Sequence, residues 1–321
     1  MDTPNPSVWH AGELALQTTV GAAERMAAVG AKVIRRFLLD QHREFYAQLP
    51  FVVLGSVDPE GRPWATLRAG RPGFLAAPSE HALEVSLVPD PADPAEAGFT
   101  DDAAIALLGI EPHTRRRNRL NGRLRRRDAS HFAIEVGESF GNCPKYIQQR
   151  DARFEREPDQ PSALPAQPLA PDDARIRAWV ARADTFFVAS YVDADDGRRV
   201  DVSHRGGRPG FVRVEADGSL LIPDFPGNQF FSTLGNLLAN PRAGLVFPDF
   251  EHGHLLQLSG RAQVQVEAPE PVQGAERYWR FTPEHALLRP EALALRFASR
   301  PDGVSPATLA MGIWPEAPEQ P

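Results

Sequence analysis

The sequence predicts a mainly β chain with helices, an α+β fold arranged as two tandem barrels. Three observations carry this prediction: short apolar runs joined by Asp/Gly turns, two stretches that resemble each other, and a Pro-rich segment between them. Residues 51–74 read FVVLGSVDPEGRPWATLRAGRPGF, and residues 186–211 read FFVASYVDADDGRRVDVSHRGGRPGF. Each begins with an apolar run, turns through an acidic Gly segment and continues in a polar-alternating run, the pattern of a β-hairpin. Both close on an identical Gly-Arg-Pro-Gly-Phe, at Gly70 to Phe74 and at Gly207 to Phe211. A repeat of this kind points to a duplicated domain.

Five prolines, at 158, 161, 165, 168 and 171, rule out a helix or a central strand between residues 155 and 173 and favour an extended linker. The expected division is therefore a first barrel domain with an N-terminal helical segment (1–154), a linker (155–173) and a second barrel domain (174–321). In the first half, residues 22–48 read as a helix before the hairpin. Residues 101–108 take the next helix slot, and 115–124 and 130–136 supply strands. In the second half, a helix over 172–183 precedes the hairpin and a strand covers 219–223. A short helix follows, with Phe230, Phe231, Leu234, Leu237 and Leu238 on one face, Asn228 as its N-cap and Asn240-Pro241 as its stop. Strands over 243–247 and 255–266 complete the pattern. In the last, Leu256, Leu258, Ala262, Val264 and Val266 alternate with Gln257, Ser259, Arg261, Gln263 and Gln265, so one face is buried and the other looks at a cavity or solvent. Antiparallel elements with short connections suggest a small closed barrel in each half.

Composition narrows the function. Lys and Arg number 35 against 42 Asp and Glu, a net charge of −7, which argues against bulk binding to nucleic acid or to an anionic membrane. Eight arginines crowd residues 115–127, but without interleaved aromatics they read as salt-bridge partners for the surplus acids on a solvent-facing strand, with some able to line a ligand groove. A single cysteine, Cys143, excludes an intrachain disulfide framework and any Cys-rich metal site. No apolar run approaches the roughly 20 residues of a membrane span. No secretory signal is visible at the N-terminus, so a cytoplasmic location is expected.

The chemistry-bearing residues gather in the second half. Ser232, Thr233 and Asn236, with Asn228 at the helix start, offer hydroxyls and amides beside free backbone N–H groups, an arrangement suited to a phosphate. The preceding hairpin adds Ser203, His204, Arg205 and Arg208 as donors and cations. Lys145 is placed to stabilise negative charge, while Cys143 reads as a small buried residue. His252 and His254 could present two imidazoles to a metal or haem iron, although no acidic partner is recognisable near them and a hairpin turn suits them better. No metal site is expected.

Residues 201–211 (DVSHRGGRPGF), followed by Asn228, Thr233, Asn236, Asn240-Pro241-Arg242 and 244–249 (GLVFPD), resemble the pyridoxamine 5′-phosphate oxidase-like, FMN-binding split-barrel superfamily. Residues 140–147 (FGNCPKYI) are similar to the end of its double-domain members. The resemblance spans about residues 40–150 and 175–265. It implies two six-stranded split barrels forming a pseudo-dimer, with FMN in a groove between them; FAD or a deazaflavin are the variants. It assigns the phosphate to Ser203, His204, Arg205, Ser232 and Thr233, and sets Gln257 against the isoalloxazine. The implied activity is a flavin-dependent oxidoreductase, pairing as a homodimer and taking a small-molecule substrate or reductant.

Two departures bear on this. The first half lacks a counterpart of Asn228, Thr233 and Asn236 and carries Asp101-Asp102-Ala103-Ala104 in the helix slot, which would repel a phosphate. The second half is therefore expected to hold the ligand and the first to supply a wall. Residues 294–300 (ALRFASR) do not match the carboxy-terminal Arg/His pattern of true pyridoxamine phosphate oxidases, so vitamin B6 oxidation is not expected. The alternatives are a haem- or flavin-binding protein for storage, sensing or haem degradation, and an interaction module with a vestigial groove.

Overall fold

The computed structural model describes residues 7–195, 197–265 and 270–314; Val266 lies outside the described residues. Three helices open the chain, α1 (Ala11–Thr19), α2 (Ala23–Val33) and α3 (Asp40–Gln48). The single helix expected over 22–48 is broken because Arg35 leaves it to exchange two backbone hydrogen bonds with Ser139, at 3.1 and 2.7 Å.

The first sheet contains β1 (Phe51–Val57), β2 (Pro63–Ala69), β3 (Leu75–Ser79), β4 (Ala82–Ser86), β5 (Ala104–Glu111), β6 (Arg116–Arg126) and β7 (His131–Gly141). Next come β8 (Arg150–Phe154), β9 (Gln167–Leu169) and α4 (Ala174–Arg182). The second sheet contains β10 (Thr185–Ala194), β11 (Gly197–Gly206), β12 (Arg213–Val214), β13 (Leu220–Asp224), β14 (Arg242–Pro248), β15 (Leu255–Gln265) and β16 (Arg277–Arg289). Helix α5 (Ser232–Ala239) lies between β13 and β14, and β17 (Leu295–Ser299) and α6 (Pro306–Leu309) end the described chain.

The first sheet runs β2-β1-β5-β6-β7-β4-β3 and the second β11-β10-β14-β15-β16-β13-β12, the same order in both halves. Every pairing is antiparallel. Each path has seven strands rather than six. Its end strands do not pair with each other among the described residues, so the barrels are split, not closed. The proline-rich segment contributes only β9, three residues laid along β16. Residues 101–108 do not form a helix. They lead into β5, and the slot equivalent to α5 is a 3₁₀ turn over Pro94–Gly98.

The apolar runs are continuous because they are buried on both faces. In β1, Val52 and Leu54 enter the core of their own sheet, while Phe51 and Val53 face the other half. In β10, Phe186 and Val188 point to their own core, and Phe187, Ala189 and Tyr191 point across. The central cluster joins β1, β2 and β5 to β10, β11 and β14, so the halves share one apolar seam. Gly244 permits part of this approach, since a Cβ there would lie 2.1 Å from the Pro63 carbonyl oxygen. β8 pairs with β17, a second tie between the halves.

Candidate functional site

A cleft opens where the start of α5 and strand β11 of the second half meet β6 and the segment after β7 of the first. Alternation along the strands builds it. On β11, Ser203 and Arg205 share a face; on β6, Arg117 and Arg119 do. The two faces interlock, for Arg119 pairs with Asp201 at 2.6 Å and donates to Ser203 Oγ. Ser203 Oγ in turn donates to Asp201 Oδ2 at 2.9 Å.

The start of α5 carries no side-chain cap. Phe231 occupies the N-cap position with φ 60°, whereas the expected cap, Asn228, accepts from the Phe230 N–H at 3.2 Å and shapes the turn before the helix. The first-turn N–H groups have no helical carbonyl to bond, and the positive end of the helix dipole faces the cleft. Helix α1 fixes the position of α5: a Cβ on Gly12 would sit 2.1 Å from the Gly235 carbonyl oxygen. Beside that crossing, burial pushes the Glu13 carboxyl up to about 8, with the charge of Glu138 adding to it. The apolar face expected of this helix is shorter than its pattern implied. Phe230 and Phe231 precede the helix, and Leu238 is exposed because α1 covers another side.

Thr233 Oγ1, His204 Nδ1, Arg205 Nε, Arg119 Nε and Asn142 Oδ1 are buried without a hydrogen-bond partner among the described residues, and all five residues line this cleft. Each buried polar atom left unpaired costs about 1–3 kcal/mol. Five around one cleft mark it as built for a polar ligand.

Five cations (Arg117, Arg119, Lys145, Arg205 and Arg277) line the cleft against two acids, Asp224 and Glu276. Arg277 holds both acids, at 2.6 and 3.2 Å, while Arg205 reaches Asp224 only at 3.9 Å. Arg117 Nε donates to the Cys143 carbonyl at 2.7 Å, and Lys145 Nζ reaches the Pro226 carbonyl at 3.5 Å. Burial, together with the neighbouring Arg119 and Arg205, lowers the Arg117 guanidinium to about 9. Burial likewise lowers Arg205. His204 is held well below the usual imidazole range by burial and by Arg117, Arg205 and Arg150, so its ring is neutral. An anion entering here relieves that crowding.

Of the residues singled out in the sequence, the cleft gathers Lys145, Ser203, His204, Arg205, Asn228, Ser232 and Thr233. Three lie elsewhere. Arg208 turns outward and donates to the Met311 carbonyl at 2.9 Å. Asn236 is buried behind the helix, donating to Ser190 Oγ at 3.1 Å. Gln257 faces no open cavity; it donates to the Ala65 carbonyl at 3.0 Å and to Asp93 at 3.1 Å. Sequence reasoning missed Arg117, Arg119, Asn142 and Arg277. The first two sit in the basic stretch read mainly as solvent-facing, whose sequence allows some arginines to line a groove without marking which.

The position equivalent to the cleft in the first half is filled. Counting back from the shared Gly-Arg-Pro-Gly-Phe sets Thr66 against Ser203 and Arg68 against Arg205. The ladder Leu67–Val53–Leu108–Arg119 matches His204–Phe187–Val246–Gln257, so Gln257 is the counterpart of Arg119. Two residues beyond their pairing partners Phe140 and Leu287 stand Asn142 and Arg289. In the first half Asp93 accepts from Thr66 Oγ1 at 2.5 Å, from Gln257 Nε2 at 3.1 Å and from the Ala95 N–H at 3.1 Å. Its carboxylate also pairs with Arg289 at 3.0 Å and lies 4.0 Å from Arg68, which itself pairs with Glu96. The acids in this slot are Asp93 and Glu96, with Asp90 also pairing with Arg289, not Asp101 and Asp102. The latter lie at the surface, where they hold the Arg126 N–H and the Arg125 guanidinium.

The His252 and His254 rings stack 5.5 Å apart, and an acidic partner is present after all: Asp249 Oδ2 lies 3.0 Å from His252 Nδ1. The Asp249 and histidine ligand atoms all fall within 4.8 Å of one another. However, His254 Nδ1 accepts the Glu291 N–H at 2.8 Å, which places the ring proton on Nε2 and leaves no lone pair for a metal. Asp128 and His131 form the same Asp-to-His turn in the first half, so the motif serves as a hairpin brace.

No helix among the described residues is long and apolar enough to cross a membrane. No curated protein matches the chain. Similar solved structures include the haem storage protein HutZ from Vibrio cholerae, at 18% identity over 37% of this chain and 94% of that one, TM-score 0.26. An FAD-binding protein from Mesorhizobium loti matches at 15% identity over 39% and 99%, TM-score 0.26. HupZ of Group A Streptococcus matches at 10% identity over 32% and 93%, TM-score 0.27. Residues 172–297, which contain β11 and α5, match the sequence profile of the pyridoxamine 5′-phosphate oxidase family. Through this region the chain is similar to the pyridoxamine 5′-phosphate oxidase family, the match covering 126 of its 321 residues.

Proposed function

We propose that the protein is a flavin-dependent oxidoreductase built from two tandem split barrels, and that the cleft holds the phosphate of FMN. One observation carries the reading: five unpaired buried polar atoms surround an uncapped helix start inside a surplus of cations. The residues fit the group. Thr233 and the first turn of α5 would donate to phosphate oxygens, and Arg205 and Arg117 would neutralise their charge. Neutral His204 would donate or accept one further bond without adding repulsion. Arg119, braced by Asp201 and Ser203, would hold the wall from the first half in place.

When bound, a flavin supplies hydride and single-electron chemistry that no side chain here can provide. The protein's part is to anchor the phosphate, exclude water with Phe225, Phe230 and Phe231, and present positive charge to the reduced ring. The substrate is a small organic molecule other than pyridoxamine phosphate.

The test is direct. Purified protein should release a yellow molecule with the absorption and mass of FMN, one per chain, and the holoprotein should be bleached by a reduced nicotinamide. A colourless protein that takes up no added flavin overturns the proposal. A Soret band on haem addition, lost in His252→Ala or His254→Ala, would transfer the chain to the haem-binding reading.

A further inference from the structure

We infer that the first half contains an anion site of the same class as the cleft, kept permanently filled by the chain's own Asp93 and Glu96. The inference rests on reading the cleft as an anion site, because its equivalence to the closed position is what gives the closed position meaning.

Asp93 is held as a bound anion would be. Its side chain is fully buried, and it meets a hydroxyl, an amide, a backbone N–H and the guanidinium of Arg289, with Arg68 just beyond. Thr66, Arg68, Gln257 and Arg289 occupy the positions of Ser203, Arg205, Arg119 and Asn142, and those four line the open cleft. The reach across the seam is reciprocal: Arg119 of the first half donates to Ser203 of the second, and Gln257 of the second donates to Asp93 of the first. Burial alone would raise the Asp93 carboxyl, but Arg289 and Arg68 hold it below the usual range, so it stays charged at neutral pH. Glu96 completes the filling by pairing with Arg68 and accepting the Asp90 N–H at 3.1 Å. The closed site therefore fits one compact oxyanion, a carboxylate or phosphate, and the chain itself supplies the carboxylates.

Inorganic phosphate is the probe. In equilibrium dialysis at fixed ionic strength, the Asp93→Ala/Glu96→Ala variant, which removes both carboxylates and vacates their space, should bind one phosphate per chain more than the wild type. Adding Arg68→Met should abolish the gain. A folded double variant with no added phosphate overturns the inference, whatever the wild type binds. If the wild type binds none and the variant one, the cleft reading fails while this inference stands.

Should the double variant not fold, arginine modification by phenylglyoxal, mapped by mass spectrometry on the native protein, decides the matter. Arg68 and Arg289 should resist modification with or without phosphate. Phosphate-dependent protection at either one would show an exchangeable site and overturn the inference. Protection at Arg117 and Arg205 reports on the cleft alone.

Discussion

The open cleft around Thr233 and the closed position around Asp93 occupy the same place in two sheets of identical strand order, yet one is a cavity and the other an ion-pair network. The difference arises in the segment that joins the fourth strand to the fifth. In the second half this segment contains Ser232–Ala239, a helix-forming run whose uncapped start delivers N–H groups and hydroxyls. In the first half it reads Asp90-Pro91-Ala92-Asp93-Pro94-Ala95-Glu96, where Asp93 caps one short 3₁₀ turn with Pro94 at its first position and acids project instead. Donors facing cations leave room for an external anion; carboxylates facing cations close the space. A barrel scaffold can thus switch a site on or off through one connecting loop.

The largest expected effect breaks the closed side. Asp93→Ala should destabilise the protein by about 3–5 kcal/mol in denaturant unfolding, because it breaks a buried ion pair, leaving Arg289 with Asp90 as its one carboxylate, and strips the Thr66 hydroxyl of its acceptor. Thr233→Ala in the open cleft should change ligand-free stability by under about 1 kcal/mol, since its hydroxyl has no partner to lose. Equal losses would mean that the two positions are not opposites.

A second prediction concerns Glu13, which packs on α5. Its folded pKa of about 8 exceeds the unfolded value near 4.5, so the folded state holds the extra proton between them. Stability from this group is full below about pH 4.5 and falls as pH rises toward 8. Glu13→Gln should flatten that slope by up to a few kcal/mol, measured by urea unfolding at pH 5 and pH 8. Parallel slopes in wild type and variant would remove Glu13 as the cause.

Ligand affinity comes next. Arg205→Ala should weaken FMN binding by about 1–3 kcal/mol, the loss of one charge-assisted contact. Arg68→Ala, at the matching closed position, should leave affinity unchanged while lowering stability. Comparable affinity losses would indicate two working sites. The smallest effect is reserved for Arg208→Ala, which should leave affinity within about 0.5 kcal/mol of the wild type, because its side chain points to Met311 rather than to the cleft.

The hairpins, their order and the short helix before Asn240-Pro241 were legible because each depends on a local pattern: apolar runs, Asp/Gly turns and a proline stop. Ser203, Arg205, Ser232 and Thr233 were legible for the same reason, being clustered polar residues at the start of a helix or on one strand. Gln257 was misplaced because alternation tells which face a residue takes but not what covers that face. Arg117 and Arg119 were not told apart from the other arginines of their stretch, because a basic run carries no mark of which members line a groove. Asp249 escaped notice beside His252 because a turn brings them together through side-chain geometry, not through spacing alone.

By itself the sequence determined that strands would alternate, where they would turn and which residue types could meet an anion, since these follow from backbone sterics and the period of each element. The sequence also marked the second half as the one to hold a ligand; only the tertiary structure decided that the first cradle is plugged by Asp93 and Glu96 rather than faced by Asp101 and Asp102. That outcome depends on which strand of the opposite half arrives across the apolar seam and on whether a guanidinium there finds a carboxylate already in place, a matter of long-range packing that no local pattern encodes.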